Sequence, residues 1–195
     1  MSEFGLRESN RVRTRLALQE AALALCLEGG YANLTTRAIA ARANVSESTL
    51  FRAFGSKAAI LCHDPFLPCF VESLVERPAD GVTVGEAVRE AIDAAIRAIA
   101  PEEWALEPVR RRIVYSEPEV FSTNSMILAE YSNRLRAWAR DRVSSSVDSH
   151  RLRLYFAFLF TAFAVEPLTD MTSPEAWARQ LHAAADAVEQ GTVLV

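Results

Sequence analysis

The chain has 195 residues, half of them hydrophobic and 24% charged, with a net charge of −4. That is enough for one sizeable core or for a small module joined to a larger one, and the balance excludes a largely disordered chain. Charge is unevenly spread: residues 1–60 hold 8 Arg/Lys against 5 Asp/Glu, whereas residues 61–195 hold 13 against 20. A basic end on an acidic body suits a module that meets phosphate at one end only.

Met1 to Arg15 is charged throughout and has no apolar stretch of signal-peptide type. The longest near-continuous apolar run, Leu154 to Val165, falls short of the roughly 20 residues that cross a bilayer. These features predict a cytoplasmic protein with no membrane partner. The three cysteines, Cys26, Cys62 and Cys69, are an odd and sparse set that reads as reduced thiols rather than a disulfide framework.

The first predicted helix runs from Glu8 to Glu28. Val12, Leu16, Leu23 and Leu27 recur along it at helical spacings, and Gly29-Gly30 ends it. Arg7, Arg11 and Arg15 share a face at its start, as a solvated basic face or as a phosphate-contacting arm. A short second helix is capped by Thr35, stapled by Leu34 and Ile39, and ends near Ala43. Asn44 follows, where a tight turn demands the left-handed conformation that Asn tolerates.

The same device then repeats. Ser46 is the cap, Val45 and Leu50 form the staple pair, and a third helix of about seven residues ends near Phe54, before Gly55-Ser56. Two stapled helices joined by about three residues are the sequence form of a helix-turn-helix. Helices this short are marginal alone, so Ile39, Ala40, Val45, Leu50 and Phe54 are expected to pack them together.

A longer helix starts at Lys57, is interrupted at Pro65 and ends before Pro78. Further helices are expected over Thr83–Ala100, from Pro101 to about Tyr115 with a kink at Pro108, from Pro118 to about Val143, from a Ser149 cap to about Glu166, and from Pro174 to about Glu189. No stretch alternates as a strand does, so the fold class is all-α: an N-terminal three-helix helix-turn-helix domain, then a helical bundle. The boundary is placed at 56/57, dividing residues 1–56 from residues 57–195.

The segment Leu34 to Lys57, LTTRAIAARANVSESTLFRAFGSK, resembles the DNA-binding signature of the TetR family of transcriptional regulators. The resemblance covers roughly residues 10–62; beyond them only the length and the helical architecture match. It implies that Thr36 contacts phosphate and that Arg37 reaches a base edge or phosphate. It further implies that Glu47, Ser48 and Thr49 open a recognition helix in the major groove, and that Lys57 holds a phosphate at the next helix start. Several positions depart from the family pattern. Phe51 stands where Tyr is usual, Ala53 where His is frequent, and Ser48 where Gly is frequent. Arg52 adds a positive charge beside them. Glu47 is acidic on the DNA-facing side; it repels phosphate but can accept from a cytosine amino group.

The resemblance also implies a homodimer that reads a palindromic double-stranded operator, and a small-molecule effector held among the middle helices. Candidate lining residues are Phe66, Trp104, Tyr115, Phe121, Met126, Phe156 and Phe160, whose apolar bias suggests an apolar or amphipathic ligand. The run Arg110-Arg111-Arg112 offers either an anion-attracting cluster or a solvated face. The aromatic stretch Leu152 to Val165 is apolar nearly all round, as expected of a helix buried on two sides.

No enzymatic role is expected. His63, His150 and His182 lie in no nucleophile signature, no catalytic residue is assigned, and no glycine-rich phosphate loop is present. Cys62-His63 with Cys69 is the sole metal-like cluster and lacks a fourth ligand, so no metal or cofactor is expected. The competing expectation is a helical small-molecule-binding protein that has lost specific DNA reading, motivated by Phe51 and Ala53.

Overall fold

The structure is a computed structural model that describes residues 3–76, 83–140, 153–161 and 173–191, with side chains from residue 9 onward. Every regular element among these residues is a helix. In chain order they are α1 (Glu3–Gly29), a single 3-10 turn (Tyr31–Asn33), α2 (Thr36–Arg42), α3 (Glu47–Phe54), α4 (Lys57–Leu61), α5 (Phe66–Val75), α6 (Val84–Ala98), α7 (Pro101–Ser116), α8 (Pro118–Arg140), α9 (153–161) and α10 (Pro174–Glu189). None of the described helices is long and apolar enough to cross a membrane.

The chain divides into two compact units. One comprises residues 1–63 and 106–125, the other residues 64–105 and 126–195. The first unit thus reaches past 56/57 through α4 and takes in the C-terminal part of α7 and the start of α8.

In the first unit the caps fall where local chemistry places them. Thr35 Oγ1 accepts from the Ala38 amide at 3.1 Å, and Ser46 Oγ from the Thr49 amide at 3.2 Å. Asn44 adopts φ +54°, and Gly55 closes α3 at φ +79°. The turn between α2 and α3 is held by Val45 N donating to Ala40 O at 2.9 Å. Ser56 caps α4 through the Ala59 amide.

The core of this unit departs from the expected stripe. Leu18, Ala22, Leu23 and Cys26 of α1 are buried, whereas Val12 and Leu27 are 45% and 49% exposed. The buried face is therefore rotated from the one the periodicity suggested, and it carries Gln19. That amide is buried because its Nε2 donates to His63 O at 2.6 Å. Ile39, Ala40 and Leu50 are fully buried as expected, but Val45 and Phe54 are only half-buried. Phe54 instead meets the His63 ring edge-on and takes the Arg15 guanidinium over its face. Arg15 also donates to Ala53 O at 3.1 Å, so it braces α3 against α1.

The arginine run is neither a solvated face nor an open anion site. Arg110 is buried and bidentate to the equally buried Glu107, one turn earlier on α7, and Arg111 reaches the same carboxylate at 3.3 Å. A charge this deep is tolerable only when paired. Arg112 alone of the three is exposed. Helix α7 runs through Pro108.

In the second unit α6 packs against α5 and α10. Thr83 and Glu86 form a reciprocal capping box at the start of α6. The core cluster joins Phe66, Phe70, Leu74, Val88, Ile92, Trp104, Leu135, Trp138, Phe156 and Trp177. Arg89 of α6 bonds Asp186 and Glu189 of α10, and His182 Nε2 lies 2.8 Å from Asp93 Oδ1. The helix expected from Ser149 to Glu166 is described over 153–161; its remaining residues, and those of the preceding helix beyond Arg140, lie outside the described residues.

Candidate nucleic-acid interface

Helix α3 buries Leu50 completely and turns its other side outward. Ser48, Phe51 and Arg52 are exposed, Phe51 by 50%, and Thr49 is half-buried. A half-exposed phenylalanine beside an arginine on an eight-residue helix is not there to fill the core of its own unit. Arg37, at the start of α2, is exposed as well. The first turns of both short helices are thereby brought together: Thr36 Oγ1 donates to Glu47 Oε2 at 2.9 Å.

At the tip of α3 three hydroxyls share one network. Ser46 Oγ lies 2.8 Å from Ser48 Oγ and 2.9 Å from Thr49 Oγ1, besides accepting the Thr49 amide. The tip is therefore held in one geometry while remaining exposed, as a reading head must be.

Two expected roles meet a different arrangement. The Thr36 hydroxyl, implied to donate to phosphate, donates to Glu47. The Lys57 ammonium donates to Tyr31 O and Leu34 O, both at 3.1 Å, and stands 4.1 Å from the centre of the Tyr31 ring. Lys57 thus ties the 3-10 turn to the start of α4.

The same unit holds a cluster that sequence reasoning missed. The Tyr31 hydroxyl donates to Glu119 Oε1 at 2.5 Å, a pair 88 residues apart with no local signal to announce it. Burial and then this carboxylate push the phenol well above its ordinary range. Cys62, whose Sγ donates to Val120 O at 3.3 Å, is pushed up to about 11, chiefly by burial. Such a thiol is a packing residue, not a nucleophile. Glu107 was missed too, although its spacing of three and four to Arg110 and Arg111 is the pairing geometry of a helix face.

The candidate effector residues fall in both units. Phe66, Trp104, Phe156 and Phe160 are buried in the cluster of the second unit, where the Trp177 ring lies 5.9 Å from Phe66 and 5.3 Å from Trp104. Tyr115 and Phe121 belong to the first unit, are 44% and 46% exposed, and pack on one another at 6.0 Å. Met126 is 73% exposed. Trp177, not among the candidates, is the ring that joins Phe66 and Trp104.

A capped helix, a four-residue turn through a left-handed Asn and an outward-facing second helix have the form of a helix-turn-helix DNA-binding module. Residues 18–62 match the family model of the bacterial regulatory proteins of the tetR family. Among the described residues this module is followed by further helices only.

Among solved structures the chain is similar to GusR of Salmonella enterica, at 20% identity and a TM-score of 0.52, covering 91% of this chain and 94% of that one. It is also similar to a transcriptional regulator of Rhodococcus sp. Rha1, at 18% identity and a TM-score of 0.45 over 91% and 96%. PfmR of Thermus thermophilus, a TetR-family transcriptional regulator, aligns at 21% identity and a TM-score of 0.41 over 89% and 97%. No curated protein matches the sequence.

Proposed function

We propose that the chain is a ligand-responsive repressor that binds a palindromic operator as a homodimer and is released by an apolar or amphipathic small molecule. Residues 57–195 are read as the ligand-binding and dimerisation part. The observation that carries the DNA half is the outward face of α3, with Ser48, Phe51 and Arg52 exposed around a fully buried Leu50. Phe51 offers its ring to a thymine methyl, and Arg37 and Arg52 offer forked donors to guanine or phosphate. Lys57 supports the surface by anchoring α4 and the Tyr31 turn.

Two-fold symmetry would place one such helix in each half-site of a palindrome. The effector half rests on the aromatic cluster around Trp104, Trp177 and Phe66. The Trp104 Nε1 is buried there without a hydrogen-bond partner among the described residues. An apolar ligand body with one polar group would satisfy such a lining better than a hydrocarbon alone. Repression and release follow if the ligand favours the conformer that fits the operator less well.

The test is selection of bound sequences from randomised duplex DNA with the purified chain. A palindromic motif, relaxed at one position by Arg37→Ala, is the expected result. Failure to enrich any sequence at low salt, with the chain folded, would leave the helical small-molecule binder as the function.

A further inference from the structure

The Thr36–Glu47 contact bears on which sequences α3 accepts, and the inference rests on the DNA-binding reading above. Glu47 is exposed at the first position of α3, and its carboxylate takes the Thr36 hydroxyl at 2.9 Å. It forms no ion pair among the described residues, although Arg37 and Arg52 lie on the same two short helices. An unneutralised carboxylate is thus held in place on the surface that must approach a polyanion.

We propose that Glu47 is a specificity-determining residue that accepts the exocyclic amino group of a cytosine in each half-site, with Thr36 as the positioning residue that aims it. A carboxylate can only accept hydrogen bonds. In the major groove guanine presents two acceptors and thymine an acceptor and a methyl group, so both oppose it. Adenine presents its amino group beside the N7 acceptor, which repels the second carboxylate oxygen. Cytosine presents its amino group with no acceptor on the same base edge. The Thr36 hydroxyl occupies Oε2 and leaves Oε1 for the base. On any other sequence the carboxylate meets phosphates and acceptor edges with nothing in return, so it weakens binding to non-cognate DNA.

The experiment selects bound duplexes with wild type, Glu47→Gln, Thr36→Val and Thr36→Ser, and measures affinity for random duplex at low salt. Wild type should enrich one cytosine per half-site. Glu47→Gln should relax that position about tenfold and leave the others unchanged. It should also bind random duplex tighter, by roughly threefold or more, because one anion has left the interface. Thr36→Val should relax the same position in part, and Thr36→Ser, which restores the hydroxyl, should recover it.

An independent arm keeps the wild-type protein and replaces the selected cytosine by N4-methylcytosine, which removes the groove-facing hydrogen. About a tenfold loss of affinity is expected there. An unchanged motif with Glu47→Gln, or undiminished binding to the methylated duplex, overturns the proposal while the DNA-binding reading stands. Enrichment of no sequence by the wild type overturns both.

Discussion

In the first unit each short helix begins with a hydroxyl that takes the amide three residues on: Thr35 to Ala38, Ser46 to Thr49, Ser56 to Ala59. In the second unit local caps such as Thr83 to Glu86 are joined by ties between residues about a hundred apart: Arg89 to Asp186 spans 97 positions, Asp93 to His182 spans 89, and the Phe66–Trp177 ring pair joins α5 to α10. The first unit is therefore a frame set by local hydrogen bonds, with a few long-range braces such as Tyr31–Glu119. The second is an aromatic core that exists only once distant helices meet. The proposed function asks for fixed backbone and exposed side chains in the first unit and for an apolar interior in the second.

That contrast can be broken most forcefully in the second unit. Phe70 is completely buried, so Phe70→Ala should cost about 3–5 kcal/mol through lost burial and the cavity left behind. The chain's three tryptophans, Trp104, Trp138 and Trp177, all lie in this unit, so urea unfolding followed by their fluorescence reports on it. The tryptophan-monitored midpoint should fall steeply; an unchanged midpoint would mean that the cluster does not hold the unit together.

Lys57→Met should have the next largest effect, in the first unit. It removes the donor to Tyr31 O and Leu34 O and should cost about 2 kcal/mol. Thermal melting by far-ultraviolet circular dichroism should show the loss, and DNA affinity should fall alike on all sequences. Full stability with weakened DNA binding would instead return Lys57 to the direct phosphate role that the resemblance implies.

Smaller still are single local signals. Ser46→Ala removes the cap of α3 and should cost about 1 kcal/mol. Asn44→Ala places a residue with no local hydrogen bond at φ +54° and should cost about 1 kcal/mol, whereas Asn44→Gly should be nearly neutral. Equal melting points for the Ala and Gly variants would show that the turn has another conformation open to it.

A chemical probe separates the cysteines by environment. Cys26 and Cys62 are buried, with Cys62 pushed up to about 11, while Cys69 is only half-buried. At pH 8 Cys62 is almost wholly a neutral thiol, so iodoacetamide should modify it slowly in the folded chain and readily in denaturant. Modification of Cys69 first, followed by mass spectrometry, is the expected order.

The caps of α2 and α3, the left-handed Asn44 and the glycine stops of α1 and α3 were legible in the sequence because each depends on residues within a few positions of one another. The helical class and the proline-led starts of α7, α8 and α10 were legible for the same reason. Phe51 and Arg52 were singled out only through the resemblance, and both are exposed. Only the tertiary structure decided which face of α1 is buried, since Val12 and Leu27 look as apolar as Leu18 until partners are placed around them. It alone decided that Arg110 is paired inside, that Lys57 anchors two carbonyls, that Tyr31 meets Glu119, and that Trp177 joins Phe66 and Trp104. Those outcomes turn on desolvation and long-range contact, and a side chain's burial is set by residues whose distance along the chain carries no signal of their distance in space.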